Sequence, residues 1–454
     1  MKKIKYIIAI TIIIIIGLIV GLLIILNNKS ENPNVSSMSY TPNIQKVVIE
    51  VKSRNKYYTI KKLVNNYFYS LTQFNKTTND IVVRRPKEQF GTDDYNAIQS
   101  ILQEYVNKDN EALINKIYNC LDKDFINKNN ITMDNLQEKL GTYSDFTLII
   151  DKMYTVDIDA DFTTYFVYGK VIEKNNYKRT DFSIMITIDE ANRKYEIYPY
   201  GHDYEVKLGE ELKINKKEIN NSKYNTVSAV IVDDETYCQD LYEDYRNRLL
   251  YDVDGLYEIL DTEYRKMKFG NIESFRSYVQ NNKTKLVNEN LKGYNIEEGE
   301  DYTQYICVSK DGNYYFFNET APMQYTLILD SYTVDMNKFT SIYDSTTIQG
   351  KVVLNLNKIM TALNTKDYEY VYNRLADSFK KANFPTQKSF EDYAKVTFFD
   401  KNEFEYVKFN NESDIYYTYE IKITDESKKD NKSINKTFIM QINEDKDFVI
   451  SFNK

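Results

Sequence analysis

The chain has 454 residues, 59 basic and 67 acidic, for a net charge of -8, and 42% of it is hydrophobic. That apolar share is enough to build packed cores, which excludes a wholly disordered chain. The acidic balance argues against nucleic acid or anionic lipid as the main partner, since both are held by basic patches. Glycine (13) and proline (6) are scarce, which leaves little room for long linkers. The 42 tyrosines and the absence of tryptophan carry the imprint of an AT-rich bacterial genome.

In chain order, Lys2, Lys3 and Lys5 precede an uncharged apolar run over residues 6–26. As a helix, this run reaches about 31 Å, which matches the ~30 Å hydrocarbon core of a bilayer. No small-residue cleavage site follows it, and the first cysteine is Cys120. It therefore reads as an uncleaved single-pass anchor, distinct from a secretory or lipoprotein signal. The excess of cations before the span predicts a cytoplasmic N-terminus and a body outside the cell membrane. Gly17 and Gly21 form a G-x-x-x-G spacing through which two anchors could self-associate. The organisation expected is residues 1–28 as tip and anchor, 29–45 as a polar stalk, and three modules over 46–208, 220–337 and 338–454.

The module boundaries rest on self-similarity. Tyr257, Leu260, Tyr264, Phe275 and Tyr278 form a spaced apolar set, and Tyr372, Leu375, Phe379, Phe390 and Tyr393 repeat its gaps. Tyr118, Leu121, Phe125 and Leu136 follow the same spacing, with Lys139 in the last place. The spacings of three and four put the first members of each set on one helical face. Asp252 and Asp367 stand where N-caps are expected. Longer helices are expected before each set, over 93–106, 236–250 and 352–363, and another over 57–74, with a loop over 84–91. Afterwards the pattern turns to β-branched and aromatic alternation over 182–188, 195–198, 325–334, 416–423, 438–442 and 448–452, as in antiparallel meanders. Helices first and strands after predict an α+β fold class: one transmembrane helix, then three tandem helices-plus-curved-sheet modules.

The stretch from Lys366-Asp367-Tyr368 through Leu375, Phe379, Phe390 and Tyr393 into a four-stranded sheet resembles the nuclear transport factor 2-like, or cystatin-like, α+β cone. The likeness is fullest in the third copy and thinnest in the first, and covers residues 46–454. The resemblance implies a cone whose mouth often holds a ligand, and in some members an Asp–His pair.

Candidate chemistry is sparse. His202 is the single histidine, next to Asp203, but neighbours on a strand point to opposite faces. Asp157, Asp159 and Asp161 look like the start of a calcium loop, yet Phe162 and Tyr168 occupy the places that need glycine and glutamate. Glu297–Asp301 reads as an acidic turn. Cys238 and Cys307 could pair within one module, or all three cysteines could be free thiols. No catalytic, cofactor-binding or metal-ligating residue is expected, and no cofactor. The function expected is that of a non-catalytic, membrane-anchored binding or scaffold protein contacting envelope proteins, of secretion or conjugation type. The alternative is a small-ligand or sensory protein using one cone mouth.

Overall fold

The computed structural model describes residues 46–75, 92–156, 162–200, 205–213, 216, 218–287, 290–310, 312–331, 343, 345–427 and 432–454. Lys46–Lys454 forms one compact unit. Its first segment opens with strand β1 (Lys46–Glu50) and helix α1 (Arg54–Thr72). Ser53 starts α1 by accepting the Lys56 N–H, and the helix buries a stripe that includes Tyr57, Ile60, Val64, Phe68 and Leu71. Helices α2 (Thr92–Tyr118), α3 (Lys123–Asn129) and α4 (Leu136–Leu140) follow. A meander of β2 (Phe146–Val156), β3 (Phe162–Glu173), β4 (Arg179–Asp189) and β5 (Lys194–Tyr200) comes next. With β6 (Glu211–Leu212) it makes a six-stranded antiparallel sheet ordered β5-β4-β3-β2-β1-β6.

The second segment runs through α5 (Asp234–Tyr251), α6 (Val253–Ile259), α7 (Thr262–Lys268) and α8 (Ile272–Val287). Its strands are β7 (Leu291–Glu298), β8 (Thr303–Ser309), β9 (Tyr314–Ala321) and β10 (Gln324–Asp330). The third repeats this order with α9 (Ile348–Asn364), α10 (Tyr368–Asn373), α11 (Asp377–Asn383) and α12 (Gln387–Thr397). Strands β11 (Asn402–Asn411), β12 (Tyr416–Asp425), β13 (Ser433–Ile442) and β14 (Phe448–Phe452) close it. Both four-stranded sheets are antiparallel meanders.

The spaced apolar sets lie where expected but not on single helices. Leu260 ends α6 in extended conformation and Tyr264 belongs to the next helix. Leu121, Leu260 and Leu375 each form a parallel bridge to the edge strand that ends their own meander, at Ile197, Leu327 and Ile450. The physical reason is the open edge of that strand: a short extended link between two helices supplies the backbone groups it lacks. Asp367 caps α10 by accepting the Tyr370 N–H. Asp252 makes no cap bond, because its carboxylate is used elsewhere.

The expected fold class needs correction. The structure is mixed α+β with three antiparallel sheets, and among the described residues no helix is long and apolar enough to cross a membrane. The long helices are amphipathic: α2 runs 27 residues but carries Glu104, Lys108 and Glu111 along its length. The expected transmembrane helix and the expected place of the chain as a single-pass protein of the cell membrane are withdrawn accordingly. The apolar run at 6–26 and the loop at 84–91 lie outside the described residues.

The apolar interior divides unevenly. One continuous core runs from Val51 in the first segment to Leu329 in the second, whereas the third has its own, from Val352 to Phe452. Tyr237, Tyr242, Tyr245, Tyr264, Phe316 and Phe390 are among the largest side chains wholly enclosed. Much of the described helix–sheet interior is filled by such aromatics, and a space of about 120 Å3 remains beside Ile60, Tyr165 and Ile188.

Candidate binding cleft

Helices α1 and α5 face one another across the join of the first two segments. Tyr58 meets Tyr237 edge-on at 5.9 Å, and the Arg54 guanidinium lies 4.0 Å from the centre of the Tyr237 ring. Arg54 also reaches Asp234 at 2.6 Å and donates to the Tyr305 hydroxyl at 2.8 Å. Two turns on, Lys61 stands 3.6 Å from Asp240. A charged side chain at each step fixes the register of the two helices, while the tyrosines supply the buried area.

Beyond Lys61 the seam holds a cleft of about 520 Å3, framed by α1, the start of β2, Lys174 and α5. One wall is a stripe of α5, with Asp240, Glu243, Asp244, Asn247 and Tyr251 at helical spacing. The facing wall has Lys61, Asn65 and Lys174, and Phe146 and Leu148 contribute apolar surface. Most of the charges are already engaged. Arg246 pairs with Glu243 at 2.9 Å, and Lys174 with Asp145 at 3.2 Å.

Below this wall lies an ion network centred on the buried Lys170, Arg248 and Asp252. Asp244 accepts from Arg248 Nε at 2.9 Å and from the Tyr325 hydroxyl at 2.7 Å. Arg248 also meets Asp151 at 3.1 Å, and Lys170 bridges Asp151 and Asp252 at 3.1 and 2.6 Å. Arg179 reaches Asp252 at 3.1 Å. Burial opposes the charge on Arg248, but Asp244, Tyr325 and Asp151 outweigh it and its pKa is raised. Gly255 is required here, since a β-carbon would collide with the Asp252 carboxylate. Arg179 also pairs with Asp181 at 2.9 Å; the cluster ties β2, β3 and β4 to α5 and β10, and its enclosed members, Lys170, Arg248 and Asp252, tolerate no missing partner.

At the other end of α5, the Glu319 carboxylate accepts the Tyr237 hydroxyl and, at 2.8 Å, the Met323 N–H. Burial pushes the Glu319 carboxyl up to about 7, against the pull of these donors and of Arg54. Its burial also raises the Tyr237 hydroxyl, and the charge on Glu319 raises it further.

The residues singled out from sequence divide as follows. His202, Asp203, Asp157, Asp159 and Asp161 lie outside the described residues. Cys120, Cys238 and Cys307 are free and buried, and the Cys307 thiol donates to the Cys238 carbonyl at 3.7 Å. Among the described residues no group of three or more His, Cys, Asp or Glu side chains could hold a metal ion. The ion network escaped sequence reading because Asp151, Lys170, Arg179 and Asp252 are far apart in the chain. One signal was available: Asp244 and Arg248 sit four residues apart on one helical face, and Asp252 follows at the same interval just past the helix end.

No protein-family model matches the chain, and no curated protein matches it in sequence.

Proposed function

We propose that the protein is a non-catalytic binding protein whose contact site is the cleft between α1 and α5. The carrying observation is where the space lies. Between α1 and the first sheet, beside Ile60, Tyr165 and Ile188, there is room for about 120 Å3, whereas the seam offers about 520 Å3 between two helices held in fixed register. That volume is within the ~300–1,000 Å3 usual for binding sites. The nuclear transport factor 2-like plan belongs to this proposal, supported by the helices-then-meander order of the segments. Nucleic acid is no part of it, given the net charge of -8.

Lysine-reactivity footprinting of the full chain in fractionated extract of the source cells tests the proposal. Lys61 and Lys174 should be protected while Lys401, far along the chain in the third segment, keeps its reactivity. Equal reactivity of all three in every fraction would overturn it.

A further inference from the structure

Building on that reading, we infer that the cleft takes a short neutral saccharide, held by amide and carboxylate hydrogen bonds and an aromatic platform. Three observations converge on this chemistry. Asn65 on α1 and Asn247 on α5 line the cleft from opposite walls, and neither amide is used within the described chain. Each offers a donor pair and an acceptor, the combination that vicinal hydroxyls satisfy. Asp240 and Glu243 stand on the same stripe as Asn247 and add acceptors for hydroxyl protons.

The third observation is aromatic. Tyr251 lines the cleft, and its ring lies 5.8 Å from that of Tyr177. Tyr177 is 67% exposed and sits in the turn between β3 and β4 at φ 57°. A tyrosine in the left-handed region is strained, and here the strained turn holds a large ring in water beside the cleft. The C–H face of a pyranose is apolar and carries partial positive charge, so it packs on the negative face of such a ring. Each charged side chain of the cleft has an ion partner, within its walls or just beyond them, which favours a neutral ligand over an anion or a cation.

Saturation-transfer NMR and calorimetry on the full chain test the inference, using cellobiose, maltose and N,N′-diacetylchitobiose, with the dipeptide lysyl-glutamate as comparator. At least one disaccharide should bind. Asn247→Ala should weaken it about tenfold, as loss of a donor–acceptor pair does. Tyr177→Asn, which keeps a residue tolerant of the left-handed turn, should weaken it too, with thermal unfolding unchanged in both variants. Binding of the dipeptide alone, sensitive to Asn247→Ala, overturns the saccharide and leaves the cleft as a binding site. Binding of none of the four probes, or saccharide binding indifferent to both variants, overturns the inference; if Lys61 and Lys174 also go unprotected in extract, the cleft reading falls with it.

Discussion

The join between the first and second segments and the join between the second and third are built differently. The first is a shared interior: apolar packing is continuous from Val51 to Leu329, and an ion network centred on Asp252 crosses it. The second joins two separate cores, one ending at Leu329 and the other beginning at Val352. A buried pair, Lys358 with Asp330 at 2.7 Å, spans it, and the Tyr406 hydroxyl bonds Asn357 within the third segment. Where the interior is continuous, two segments should open and close together, while a polar pin lets the third respond by itself. The candidate cleft lies in the continuous join.

The strongest way to break this contrast is Asp252→Ala. It removes the enclosed carboxylate that Lys170, Arg179 and Arg248 share, at a cost of about 3 kcal/mol, in line with the loss of one partner of a buried ion cluster. Denaturant unfolding should show the loss in the transition of the first two segments. Leu356→Ala is the counterpart in the third core, where Leu356 is wholly enclosed. It should cost about 3 kcal/mol, typical of a buried leucine truncation, and only in the transition of the third segment.

A smaller effect sharpens the contrast through pH. The Glu319 carboxyl is raised from 4.5 to about 7 by burial, so the folded state disfavours its charged form. Its contribution is fully present below about pH 4.5, is lost as pH rises towards 7, and is constant above that. Glu319→Gln keeps an acceptor for the Tyr237 hydroxyl and the Met323 N–H while removing the charge. It should gain about 2 kcal/mol at pH 8 and almost nothing at pH 4, read from melts of the first two segments at the two pH values. The smallest effect is at Thr386, whose side chain caps α12 in a reciprocal box with Ser389. Thr386→Ala should cost about 1 kcal/mol, confined to the third segment and measurable as faster amide exchange in α12.

Much of the fold was legible because its signals are local. The alternation at 448–452 coincides with β14, and the apolar spacing at 352–363 lies within α9. The periodicity of Tyr257, Leu260 and Tyr264 was visible, but the break at Leu260 was not: a spacing of three and four reads as one helix whether or not the middle residue leaves to bridge a strand. The anchor reading rested on residues 6–26 alone, and among the described residues no helix can cross a membrane. The cleft was least legible of all. Asn65, Asn247 and Tyr251 are ordinary exposed or half-buried positions on amphipathic helices, and only the packing of α1 against α5 gives them a common site.

Hydrogen-exchange mass spectrometry of Asp252→Ala against the unmodified chain is the most direct test of the shared interior. Protection should fall together in 46–213 and 234–331 and remain unchanged in 345–454. Loss confined to 46–213 with 234–331 still protected, or an equal loss over all three segments, would contradict it.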